Sequence, residues 1–187
     1  MKWSSVCRKS IPAKIKRWYP TLGVNAPRYP TAPEPLESGV LMLEGERIEL
    51  VGPMQGDHVH CTFVNVPSAR TVIAGDLLFN QVHLWNGESL ASARKAWLAS
   101  LDRIAATGAT RFVAGHKKPG LPDDLSALSF ARGYLQKFEQ VVSSSKGSKE
   151  IAAKMRAAYP DAIDFFGDFI LGNSSQVAAG ETPPWQE

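Results

Sequence analysis

Two short apolar runs constrain this chain most, each closed by a glycine and a polar residue, with a helix-length pattern between them. Thr71-Val72-Ile73-Ala74 leads into Gly75-Asp76, and Arg111-Phe112-Val113-Ala114 leads into Gly115-His116. Between them, residues 88–107 repeat Leu90, Trp97, Leu101 and Ile104 at helical spacing, with Arg94, Lys95, Asp102 and Arg103 largely on other faces. Gly108 stands where such a helix would end. The spacing predicts a strand–helix–strand unit around Asp76 and His116. The first run is almost continuously apolar, which predicts cover on both of its faces. Asp76 and His116 then fall on loops at neighbouring strand C-termini, a common location for sites in α/β folds.

Upstream, residues 40–51 predict a hairpin: Val-Leu-Met-Leu, a Glu-Gly-Glu turn, then Arg47, Ile48, Glu49 and Leu50 in alternation. A further strand is expected over residues 61–66, joined to the Thr71 run by Pro-Ser-Ala-Arg. Downstream, Asp123 or Asp124 caps a helix running to about Ser143, with Leu128, Leu135, Phe138 and Val142 on its apolar side. A serine-rich break follows, and Ser148 starts a shorter helix carrying Ile151, Met155 and Tyr159 and stopped by Pro160. Residues 161–187 are weakly patterned, and the last ten read as a frayed tail.

Pro20, Pro27, Pro30, Pro33 and Pro35 break up the segment before residue 40 and exclude a long helix there. The expected organisation is therefore a basic, Pro-rich extension over 1–39, a folded segment over 40–172 and a flexible tail over 173–187. Lys2, Arg8, Lys9, Lys14, Lys16 and Arg17 all precede the first acid at Glu34, as in a solvated arm or one drawn to phosphate or membrane surfaces. A net charge of +3 is too small to imply nucleic acid, and the aromatic interleaving of a nucleic-acid surface is missing. Cys7 and Cys61 alone make no disulfide framework, and no stretch has the length of a signal-peptide core or a membrane span. A cytoplasmic protein with no membrane partner is expected.

The stretch Thr71-Val-Ile-Ala-Gly-Asp-Leu-Leu-Phe-Asn-Gln-Val-His83, followed by Phe112-Val-Ala-Gly-His-Lys117, resembles the C-terminal half of metallo-β-lactamase-fold hydrolases. The likeness spans residues 40–160. It implies an α/β fold, the second half of an αββα sandwich followed by a C-terminal helical segment. It also implies that Asp76 bridges metal ions and that His116 ligates one of them. The family's His-x-His-x-Asp-His signature does not occur in this chain. The place of the family's single ligand histidine ahead of the Gly-Asp strand falls on Gln55, a poor zinc ligand, for which Asp57, His58 or His60 could substitute only if the loop is re-routed.

Each candidate has an ordinary reading beside its functional one. Asp76 is a metal ligand or a turn-capping carboxylate, and His116 a ligand or a hydrogen-bonded loop histidine. His58 and His60 form a His-x-His pair whose rings would share one face of a strand and chelate one ion. Otherwise they are solvated strand-end residues. Asn80 and His83 are expected to touch substrate or support the ligands, and Lys117 to meet an anionic substrate or stay solvated.

Two functions follow. One is a zinc-dependent hydrolase of an ester, lactone, thioester or amide, holding at most one weakly bound ion because the ligand count is short. The other is a non-catalytic remnant or protein-interaction module, from a truncated domain, that keeps the half-fold. Val64, Val66, Ile73 and Val113 would lie on a sheet face needing cover from a second copy, a partner chain or the N-terminal extension.

Overall fold

A computed structural model describes residues 12, 15, 16, 19–26 and 36–185. The chain divides into two compact units, Met1–Gly39 with Glu187 and Val40–Gln186. In the first, residues 19–22 are helical and run into a 3-10 turn, Gly23–Asn25, so the chain is not extended there despite Pro20. Most of the basic, Pro-rich extension and Cys7 lie outside the described residues.

The second unit is built on a sheet of strands in sequence order, β1 (Val40–Leu43), β2 (Glu46–Met54), β3 (Cys61–Val66), β4 (Thr71–Asn80) and β5 (Arg111–Lys117). The first four pair antiparallel, and β4 pairs β5 in parallel. The parallel step carries helix α1 (Ala91–Ala105) as its crossover. Helices α2 (Leu125–Ser143), α3 (Ser148–Ala158) and α4 (Phe169–Ala178) follow. Asp124 caps α2 by accepting from the Ser126 amide at 2.9 Å. The result is an α/β architecture, one five-stranded sheet with helices packed on it, as expected of half a sandwich.

Apolar periodicity decides which face each helix buries. Trp97, Leu101 and Ile104 of α1 and Leu128, Ala131, Tyr134, Leu135 and Phe138 of α2 join Val72, Leu77, Leu78 and Phe112 in one core. Trp97 is fully buried, and its indole N–H donates to the Leu77 carbonyl at 3.0 Å, so the largest core side chain leaves no polar atom orphaned. Each such aliphatic side chain contributes roughly 1.5–3 kcal/mol by leaving water.

Register puts Leu41 and Ile48 together on the other face of the sheet, with Leu50, Val64, Ile73 and Val113 forming a row across β2 to β5. Ile73 is 46% exposed there, so β4 is not covered on both faces as its composition predicts. The helices shield the Val72 side, and the apolar residues of the opposite side remain partly in water.

Two further expectations change. Both β4 and β5 run past the residues expected to lie on loops, so Asp76 and His116 sit inside strands. The C-terminal region, weakly patterned in sequence, holds α4, with Leu171, Ser174, Ser175 and Val177 buried. Its buried face is half serine, which hides the helix from a hydrophobic-period reading. Ser175 manages this by donating to the Leu171 carbonyl within its own helix at 2.7 Å.

Candidate functional site

The site forms where β4 and β5 run side by side. Gly75 adopts a left-handed backbone with φ +52°, and the β4–β5 register shifts on both sides of it. This bulge turns Asp76 outward in a strand whose next residues, Leu77 to Asn80, are buried. Gly115 faces it across the ladder. A Cβ at Gly115 would come within 2.6 Å of the Gly75 carbonyl group and 3.0 Å of Asp76 Oδ1, so only glycine lets the two strands approach this closely.

The approach brings Asp76 and His116 together. Asp76 Oδ1 lies 3.1 Å from His116 Nε2, with the side chains 51% and 44% exposed. Behind the imidazole, the buried Phe79 ring stacks at a centroid distance of 4.9 Å. The Phe165 ring stands 6.1 Å from the imidazole, tilted at 48°. The imidazole thus has two aromatic neighbours, with Nε2 turned to the carboxylate.

Asp57 completes the acidic side. Its amide donates to the Asp76 carbonyl at 3.3 Å, and its Oδ1 accepts from the Cys61 thiol at 3.4 Å. Burial pushes the Asp57 carboxyl well above the usual carboxylate range, and the Asp76 charge pushes it further. The Cys61 thiol is pushed up to about 12, first by burial and then by Asp57, so it stays a neutral donor. Gly56 makes room for this cluster, since a Cβ there would meet Cys61 Sγ at 2.7 Å.

Of the possible substitutes for Gln55, Asp57 is tied to Asp76 through its amide. Gln55 donates from Nε2 to the Gly56 carbonyl.

The remaining candidates scatter. His58 and His60 occupy a turn before β3 rather than a strand face. Their rings lie 5.2 Å apart, and His58 Nδ1 accepts from the His60 amide at 3.1 Å. Asn80 is 2% exposed and donates to Ser126 Oγ at 3.0 Å, tying β4 to the start of α2. His83 is 6% exposed, with Nδ1 2.9 Å from the Tyr134 hydroxyl. Burial holds the His83 imidazole below its ordinary value, so it is neutral near pH 7. Lys117 Nζ reaches Asp123 Oδ1 at 2.5 Å, and Lys118 Nζ donates to the Asp161 carbonyl at 3.1 Å.

Carboxylate oxygen and imidazole nitrogen are donors suited to zinc or another divalent ion. Two carboxyl groups crowded so that one is driven to keep its proton are also what a cation would relieve. Among the described residues, however, no group of three or more His, Cys, Asp or Glu side chains is placed to hold an ion. The donors fit part of a metal shell and do not complete one.

No family model matches this chain, and no curated protein matches its sequence. Solved structures do. A metallo-β-lactamase family protein from Thermus thermophilus aligns with a TM-score of 0.53 and 19% identity, over 95% of this chain and 60% of that one. A metallo-β-lactamase from Pontibacter korlensis aligns with a TM-score of 0.42 and 21% identity, over 64% of this chain and 54% of that one. The DIM-1 metallo-β-lactamase aligns with a TM-score of 0.46 and 19% identity, over 63% and 53%. This chain spans between half and 60% of the length of the structures it matches. The first likeness carries the argument, and it shows a shared metallo-β-lactamase-like fold.

Proposed function

With that fold as premise, we propose that this chain contributes to a divalent-metal hydrolase site for an ester, lactone, thioester or amide. Asp76 and His116 are its protein ligands, and the buried Asp57 adds a carboxyl group beside them without completing a third ligand. The observation that carries the reading is the 3.1 Å meeting of Asp76 Oδ1 and His116 Nε2, half exposed at the junction of the parallel strands. Ligands beyond these come from outside the described residues, from water or from substrate.

A divalent ion here, zinc by donor type, would lower the pKa of bound water to about 7 and polarise the scissile carbonyl. The chain's own groups do the rest. Asp76 Oδ1 and His116 Nε2 already face one another, so an ion held by both would take the place of their direct contact. Phe79 fixes the imidazole plane from behind. Burial and the Asp76 charge hold the Asp57 carboxyl above its usual range, and a cation nearby would oppose both effects.

Calorimetric titration with Zn²⁺ and Mn²⁺ tests the proposal, with hydrolysis of p-nitrophenyl acetate as the activity readout. The expected result is one weakly held ion per chain, lost in Asp76→Ala and His116→Ala. No binding by the unaltered protein, or binding unchanged in both variants, defeats the reading.

A second reading is a non-catalytic interaction module, favoured by the outer sheet face, where Leu41 and Ile73 are each 46% exposed. A second copy or a partner chain covering that face is its natural consequence. Sedimentation at micromolar concentration tests it, and a monodisperse monomer counts against self-association.

A further inference from the structure

The segment between α3 and α4 carries two adjacent aromatic side chains, the first of them beside the His116 imidazole, and nothing in the metal chemistry calls for it. Phe165 is 49% exposed and Phe166 54% exposed. The Phe165 ring lies 6.1 Å from the His116 imidazole, tilted at 48° to it. Large aromatic rings held in water forgo a substantial burial energy, so a segment that fixes them there invites a functional account.

The segment is fixed at several points. Ile163 bridges to Val82 just beyond β4. The His83 amide donates to the Ile163 carbonyl at 3.0 Å, and the Ile163 amide donates to the Gln81 carbonyl at 3.1 Å. One Asp164 oxygen accepts from the Phe166 amide at 3.1 Å, and the other from the Leu171 amide at 3.0 Å. Asp168 adopts a left-handed backbone with φ 68° and pairs with Arg156 at 3.0 Å. A non-glycine residue in that region costs stability unless its surroundings hold it. The turn is tied to the end of β4, the strand that carries Asp76, so the aromatic pair and the carboxylate share one scaffold.

We infer that Phe165 forms an apolar subsite against His116, which takes the aliphatic or aryl portion of a carboxylic acid derivative. The inference rests on the hydrolase reading for the reacting group and on the aromatic geometry for the apolar one. A substrate carbonyl at Asp76 and His116 would lay its neighbouring carbon chain along Phe165. Acyl groups of several carbons are then preferred to acetyl.

Two measurements on the full chain separate the inference from the reading beneath it. The first is binding without chemistry. NMR titration with neutral hexanamide and acetamide, following the His116 imidazole signals, needs neither metal nor turnover. Hexanamide is expected to bind at least about tenfold more tightly than acetamide. Phe165→Ser should erase that preference, and Phe165→Leu should restore much of it. The second compares hydrolysis of p-nitrophenyl hexanoate with that of the acetate in the presence of Zn²⁺. Phe165-dependent hexanamide binding without turnover of either ester upholds the subsite and defeats the hydrolase reading. Turnover of both esters with no chain-length preference, unaffected by Phe165→Ser, defeats the subsite and leaves the hydrolase reading standing. Equal binding of the two amides overturns the subsite by itself.

Discussion

Replacing Tyr134 by Phe removes one oxygen atom and tests how the end of β4 is anchored. Tyr134 is fully buried in α2, and its hydroxyl lies 2.9 Å from Nδ1 of the nearly buried His83. The ring itself packs against Phe130, Phe138 and Tyr159, and a phenylalanine ring keeps those contacts. The loss is therefore the cost of leaving a buried imidazole nitrogen without its partner, about 1–3 kcal/mol. For a domain of this size each kcal/mol moves Tm by about 2–4 °C, so a drop of about 2–12 °C is expected. Urea denaturation at pH 8, where His83 is neutral in both states, measures the free energy directly. The double variant His83→Phe with Tyr134→Phe replaces both polar partners by apolar rings and should be more stable than the sum of the single losses. A Tyr134→Phe change below about 0.5 kcal/mol, within the scatter of inconsequential substitutions, would refute the reasoning. So would strict additivity in the double variant.

His83 also predicts a pH dependence. Its folded-state value is lowered mainly by burial, so between the folded and unfolded values the unfolded chain binds more protons. The stabilisation is fully present above about pH 6.5 and is lost as pH falls through the lowered folded value. His83→Phe should flatten the stability profile in that acid window, and an unchanged slope there counts against a buried neutral imidazole. At the site, Gly115→Ala places a methyl group 2.6 Å from the Gly75 carbonyl group. Relief requires a strand shift, expected to cost about 1–3 kcal/mol and to part Asp76 from His116. Melts combined with Zn²⁺ titration check this, and a variant with unaltered stability and metal uptake argues against the close strand approach.

Much of the fold was legible because local periodicity reports local structure. The β1–β2 hairpin, β3, the crossover helix and the Asp124 cap of α2 follow from alternation, helical spacing and a capping side chain. The Gly-Asp and Gly-His dipeptides likewise mark the places where two strands carry polar residues outward. Other features were hidden for identifiable reasons. Helix α4 buries serines that satisfy themselves, so its apolar period is weak. Asn80 and His83 look like site residues from their closeness in sequence to Asp76. They lie on the buried continuation of β4, where Ser126 and Tyr134 engage them.

The sequence by itself determined that β4 and β5 are neighbours joined by a helix and that each ends its apolar run in a glycine and a polar residue. Only the tertiary structure decided that Asp76 and His116 meet, because their distance depends on a bulge at Gly75 and on a glycine at 115 with no Cβ to hold the strands apart. Only it placed Asp57 rather than Gln55 beside Asp76, through an amide–carbonyl contact between segments distant in the chain. It alone brought Phe165 beside His116, across a turn pinned to β4 by Ile163. Periodicity is a property of one segment's own backbone. Convergence of side chains belongs to register and packing between segments, and no residue pattern along a single segment encodes it.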